Sequence, residues 1–274
     1  MYGMAARSVM KRQCETTGLM LVGGQVDTVW RVAMTSYGPL NPPVRSDYGR
    51  NDRGGWSRWD VAGHRTIYAA TCRVGALAEA IAPLRVAINL PLTDLFTDDE
   101  PFDADDDWFD DLPDTVSKEW RDERHYMGVG QIAASWRISR GLYELRLPRN
   151  GWFVDIADSA SVHVLEDSAD QWMPAKRYGK PLTLSQLTGS DRMLTTSAAE
   201  WVWKQVLDDK SLPHGIYYPS KYGTDWGCLA IWLRAVDSGR SAKAEPTRQV
   251  RTHVIETADR DVIRMADRFN LRLH

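Results

Sequence analysis

The chain has 274 residues, 43% hydrophobic and 26% charged, with a net charge of −3. That is the composition of an ordinary globular protein, long enough to bury about three quarters of its unfolded surface without a disulfide or a structural metal. It excludes a strongly basic nucleic-acid binder, and nowhere does it approach the roughly eighteen consecutive apolar residues of a membrane span.

The three cysteines, Cys14, Cys72 and Cys228, are far apart and form no CxxC. This usage points to a reducing compartment, and a cytoplasmic location is expected. Residues 1–25 read as an N-terminal extension with a short, interrupted apolar run, unlike a signal peptide. A single domain is expected over 26–274.

Val26 to Val32 alternates as a strand does, with Trp30 and Arg31 at its end. Gly38 to Gly55 is rich in Pro, Gly, Asn and Asp and predicts a loop. It delivers the chain to Gly54-Gly55 and then to Arg58, which stands between Trp56 and Trp59. Thr66–Ala70 predicts a short buried strand. Gly75 to Ala82 predicts a helix closed by Pro83, with Glu79 as its only acid. Val86 to Leu90 predicts a further strand.

Between Asp98 and Asp114 lie ten acids and no Lys or Arg. Removing those charges from the net of −3 leaves the rest of the chain at +7, a mild excess suited to an anionic ligand. The acids at 103, 105, 107 and 114 fit four positions of a calcium loop, but Trp108 stands where that loop needs glycine. A solvated loop or a surface for a basic partner is the expectation.

Gln131 to Trp136 reads as helical. Leu142–Leu147 and Trp152–Ile156 predict strands, and Pro148-Arg149-Asn150-Gly151 between them predicts a hairpin or a sheet corner. Ser161 to Leu165 predicts a strand, and Ala198 to Leu207 a helix with Trp201, Val202 and Val206 near one face. Ile216–Tyr218 and Cys228–Leu233 predict strands, Val250–Ile255 a last strand and Arg260–Leu271 a last helix. Strands and helices do not alternate regularly, so the expected class is α+β, not a doubly wound sheet.

No phosphate-binding glycine loop, nucleophile elbow or zinc-protease motif is present, and the six histidines are scattered. No metal is expected. What remains is Arg31, Arg58, Tyr68, Glu79 and Ser220, each near a predicted element end. Arginines fork onto phosphates, aromatic rings stack flat ligands, and a carboxylate in an apolar wall stabilises an oxocarbenium-like centre. Each residue also has a plain structural reading as a salt-bridge partner, core aromatic, solvated acid or turn residue. The residues alone leave both readings open.

In order, Trp30-Arg31, GGWSRWD (54–60), TIYAA (66–70), ALAEAIA (76–82) and GIYYPSKYG (215–223) resemble the RES domain family. Its members are the toxins of RES–Xre toxin–antitoxin pairs. The resemblance implies a fold related to ADP-ribosyltransferases, with short twisted sheets flanked by helices, and a reaction that consumes NAD+ by cutting the nicotinamide–ribose bond, as a glycohydrolase or a phosphorylase, with water, phosphate or a protein side chain taking the ADP-ribose. It implies NAD+ as substrate and an Xre-type antitoxin as partner. Carried over, Glu79 becomes the catalytic carboxylate, with Arg31 and Arg58 holding the phosphates or ribose. Trp30, Trp59, Tyr68 and Ser220 line the same NAD+ pocket. Alternatives within the resemblance are an ADP-ribosyltransferase acting on a host protein and a non-catalytic nucleotide-binding module. The chain departs from the family pattern in the two residues between Gly55 and Arg58, in Asp60, and in what reads as an acidic insertion over 84–139.

Overall fold

The computed structural model describes residues 10–23, 28–46, 53, 55–85, 130–174 and 181–274. The predicted strand at 86–90, the acidic tract at 98–114 and most of the insertion lie outside the described residues. Within the expected N-terminal extension, β1 (Met10–Gln13) and β2 (Met20–Gly23) form an antiparallel hairpin at one edge of the main sheet.

Strand β3 (Thr28–Met34) carries Trp30 and Arg31 in its middle, not at its end. β4 (Thr66–Ala70) matches the predicted strand. Helix α1 (Arg73–Ile81) follows, and a 3-10 turn over Ala82–Leu84 carries the chain through Pro83, so the proline does not close the helix directly. Gln131–Ile132 is a short strand, β5, and only Ala134–Ile138 is helical (α2). β6 (Arg140–Arg146) and β7 (Trp152–Asp155) lie where strands were expected.

The predicted strand at 161–165 is instead helix α3 (Ser159–Asp167). Asp158 caps it by accepting from the Ala160 N–H at 3.0 Å, and Ser161 and Leu165, four apart, are both fully buried. Capping and an i,i+4 buried pair outweigh the β preference of Val162 and Val164. α4 (Ala169–Trp172) and α5 (Leu184–Thr188) are short. α6 (Arg192–Trp203) begins earlier and ends earlier than predicted, leaving Val206 outside it and half exposed. β8 (Gly215–Ser220), β9 (Gly223–Trp232), α7 (Arg234–Asp237), β10 (Arg248–Val254) and α8 (Arg260–Arg268) complete the larger elements. β10 is not the last strand: β11 (Arg272–Leu273) pairs in parallel with β5.

Nine strands form one sheet in the order β1-β2-β7-β8-β9-β4-β3-β6-β10. Every pairing in it is antiparallel except β7 with β8. The fold is therefore mixed, of the α+β kind, with one large sheet and one two-stranded sheet among the described residues in place of several short ones. β6 and β7 are not a hairpin: β6 pairs with β3 and β10, β7 with β2 and β8. The 148–151 turn links two distant parts of the sheet.

Both faces of the sheet are covered. Along β9, Cys228, Ala230 and Trp232 face one apolar cluster, which also takes in Leu77, Leu165, Leu194 and Met265 of the helices. Leu229 and Ile231 face a smaller cluster with Val29, Ile67 and Phe153. Helix α1 buries Leu77 and Ile81 completely, each contributing about 1.5–3 kcal/mol. The helix lies close to the sheet at Gly75, where a Cβ would sit 3.2 Å from the Cβ of Ala70 and 3.3 Å from that of Trp226. This seating turns Glu79 and Ala80 toward a cleft. Among the described residues no helix is long and apolar enough to cross a membrane.

Candidate active site

The cleft holds about 380 Å³ and is walled by β3, β4, the 56–58 loop, α1, the start of α6 and the β8–β9 turn. Its opening follows from the sheet. β3 and β4 are in register at one pair only, Trp30 opposite Ala70. Beyond that pair, the Arg31 guanidinium donates through Nη1 to the Tyr68 carbonyl at 3.0 Å. A side chain thus takes a carbonyl that a continued ladder would have paired.

Glu79 is half-buried. Its Oε1 accepts a 2.6 Å bond from the hydroxyl of Ser220 and lies 3.8 Å from the Cys228 thiol. A length of 2.6 Å is that of a short hydroxyl–carboxylate hydrogen bond. Ser220 is itself buried, and its Oγ accepts from the Tyr222 N–H at 3.1 Å. The register of β8 against β9 slips between Pro219 and Ser220, which re-aims the serine. Burial, then the charge of Glu79, push the Cys228 thiol far above its usual range. Cys228 is therefore a neutral wall beside the carboxylate.

The loop before β4 is pinned by Asp60, which is 3% exposed. Its carboxylate accepts from the Tyr68 hydroxyl at 2.7 Å, the Ser57 N–H at 2.8 Å and Arg45 Nε at 3.2 Å. The Tyr68 oxygen in turn accepts from the Trp59 N–H at 3.1 Å. Burial first, and the nearby Asp60 charge second, raise the Tyr68 hydroxyl well above its ordinary value, so it stays a neutral donor. Gly55, with φ of +82°, supplies the left-handed turn that starts this loop.

Arg58 is 7% exposed, donates through Nη1 to the Thr188 carbonyl at 3.1 Å, and lies over the Tyr218 ring at 4.8 Å. Arg31 is held down to about 10 by burial, and its Nε is buried without a hydrogen-bond partner. Trp30 is tilted against His253 at 5.3 Å, with the Arg73 guanidinium 5.5 Å from its ring centre. Two further cations line the cleft, Arg192 and Lys221.

Trp30, Arg31, Arg58, Tyr68 and Glu79 therefore share one cleft. Ser220 reaches it only through Glu79. Trp59 does not reach it: the ring is fully buried in the core, 5.8 Å from Tyr218. Trp56 is the tryptophan beside Arg58 that lines the wall. Asp60, Arg192, Tyr218 and Lys221 are the contributors that sequence reasoning missed. Asp60 stood inside the quoted GGWSRWD block and Tyr218 and Lys221 inside GIYYPSKYG, whereas Arg192 lies in no motif. No group of His, Cys, Asp and Glu among the described residues is arranged to hold a metal.

Residues 28–154 match the family model of the RES domain. This stretch is similar to a RES domain. The match takes in Trp30, Arg31, Arg58, Tyr68 and Glu79 and ends before Arg192, Ser220 and Lys221. No curated protein and no solved structure matches the chain.

Proposed function

We propose that this chain is a RES-family, NAD+-degrading enzyme that acts as a toxin and is neutralised by an Xre-type antitoxin, and that its fold is related to the ADP-ribosyltransferases. The observation that carries the reading is Glu79, among the described residues the one carboxylate lining a cleft that also presents four cations and five aromatic side chains, with Ser220 fixing its Oε1 at 2.6 Å.

In this reading the bond between nicotinamide nitrogen and ribose C1′ breaks and the electron pair leaves with nicotinamide. The positive charge left on the ribose is stabilised by the Glu79 carboxylate, an interaction realised mainly in the transition state. An acceptor then adds to C1′: water, losing its proton, gives ADP-ribose, and phosphate gives ADP-ribose 1″-phosphate. Ser220 keeps the carboxylate in one rotamer, and Tyr68, pinned by Asp60, presents a fixed wall to the sugar. Arg31 joins β4 to β3 beside that wall.

The test is nicotinamide release from NAD+ by the purified chain, with water, phosphate and protein acceptors compared. Glu79→Gln keeps the shape and removes the charge. Its turnover should fall about a hundredfold or more, the scale of one preorganised electrostatic group. Release at the wild-type rate by Glu79→Gln would remove the reading.

A further inference from the structure

The cations of the cleft fall into two groups. Arg31 is set apart between β3 and β4, bonded to the Tyr68 carbonyl. Arg58, Arg192 and Lys221 line the same cleft from three other segments: the 56–60 loop, the first turn of α6 and the β8–β9 turn. Arg192 Nε donates to the Trp56 carbonyl at 2.9 Å and its Nη1 to the Gly189 carbonyl at 3.4 Å, while Arg58 is held by the Thr188 carbonyl. These clamps are neutral. None of the three side chains has a carboxylate oxygen within ion-pair distance among the described residues, and neither Arg192 Nη2 nor the Lys221 ammonium makes a hydrogen bond there.

Two features make this arrangement costly in the free protein. Arg192 is the first residue of a twelve-residue helix, where the positive end of the backbone dipole disfavours a cation. The three charges also repel one another: Arg58 lowers the pKa of Arg192, and both arginines lower that of Lys221, after burial in each case. Three clustered cations, none ion-paired among the described residues, favour an anion entering the cleft, and Glu79, which acts on Lys221 from a distance, offsets one of the three positive charges. The remaining two match the two negative charges of a diphosphate.

We propose that Arg58, Arg192 and Lys221 form the diphosphate seat of the cleft, and that Arg192 and Lys221 are its specificity-determining members. This rests on the reading of the cleft as an NAD+ site and divides its labour. The anionic half of the dinucleotide lies against α6 and the β8–β9 turn, and Arg31 serves the ribose side. The seat is completed by residues beyond the matched stretch 28–154, so a chain cut at residue 154 lacks it.

The experiment uses the full chain with Arg192→Gln, Lys221→Gln and Arg192→Lys, reading NAD+ kinetics and, separately, binding of inorganic pyrophosphate by calorimetry. Each Gln variant should raise KM for NAD+ and weaken pyrophosphate about tenfold or more, the scale of one charge-assisted hydrogen bond. Its kcat should stay within about threefold of wild type, because the contact is the same in ground and transition states. Arg192→Lys should recover only part, since an ammonium cannot fork. Lys221 is exposed, so its variant tests the seat even if Arg192 variants unfold. Unchanged KM and unchanged pyrophosphate affinity in folded Lys221→Gln would overturn the seat while leaving the enzyme reading intact. Pyrophosphate binding lost in the variants, without any nicotinamide release by the wild type, would keep the seat and remove the NAD+ reading.

Discussion

Replacing Ser220 by alanine separates the positioning of Glu79 from its charge. The serine hydroxyl is the only oxygen or nitrogen donor to Glu79 Oε1 among the described residues, at 2.6 Å. After its removal the nearest donor is the Cys228 thiol at 3.8 Å, a weak one. A hydrogen bond to a charged group contributes about 1.5–3 kcal/mol. If that energy holds the carboxylate in its reactive rotamer, kcat should fall roughly ten- to a hundredfold. The same change leaves the Tyr222 N–H without its acceptor, at a cost of about 1–3 kcal/mol. For a chain of this length that lowers the melting temperature by roughly 2–10 °C. The assay is nicotinamide release measured well below the melting point of the variant, alongside a thermal melt. A variant that melts lower but keeps kcat within about twofold of wild type would show that Ser220 serves folding alone, and the positioning argument would fall.

Two further outcomes follow from buried charges. Arg31→Lys should lose at least about tenfold in turnover and a few degrees in melting temperature, because a point charge cannot keep the Tyr68 carbonyl bond and still face the cleft; wild-type kinetics in that variant would place Arg31 outside the reaction. Glu245 is 2% exposed, accepts from the Val236 N–H at 2.7 Å, and burial raises its pKa above the ordinary 4.5. A raised folded pKa gives stability that is complete below the unfolded value and is lost as pH rises through the folded one. Glu245→Gln keeps an acceptor without the charge, so it should melt higher than wild type at pH 7, with the gain shrinking toward pH 4. A gain that stays constant across that range in calorimetric scans would contradict the burial argument.

Local signals in the sequence were reliable where local chemistry decides the outcome. Thr66–Ala70 is a strand because both its faces are covered, and its run of β-branched, aromatic and small residues says so. Glu79 stood out as one acid among Ala, Leu and Ile. The errors lie where a distant partner decides. The Pro148–Gly151 turn is real, yet whether it closes a hairpin depends on which strand edges are free, and β6 is already flanked by β3 and β10. At 159–167 the capping aspartate and the spacing of Ser161 and Leu165 were better guides than the valines between them. Trp59 and Trp56 are indistinguishable as letters. Only the direction of the loop after Gly55 sends one to the cleft and the other to the core.

The cleft itself has no sequence signature, because it is made by a pairing that stops. β4 is held along all five residues by β9, and β3 along all seven by β6, so each strand is secured on its outer side. Neither needs the other for its hydrogen bonds beyond Trp30 and Ala70. That independence allows the two to be joined by a single residue pair and a guanidinium, and it leaves room above them for Glu79 on α1. A longer β3–β4 ladder would satisfy the Tyr68 carbonyl from the backbone and make Arg31 redundant as a latch. The arginine is thus tied to the interruption of the sheet as well as to any ligand, and its two roles are separable: the latch is read in stability, the ligand contact in turnover.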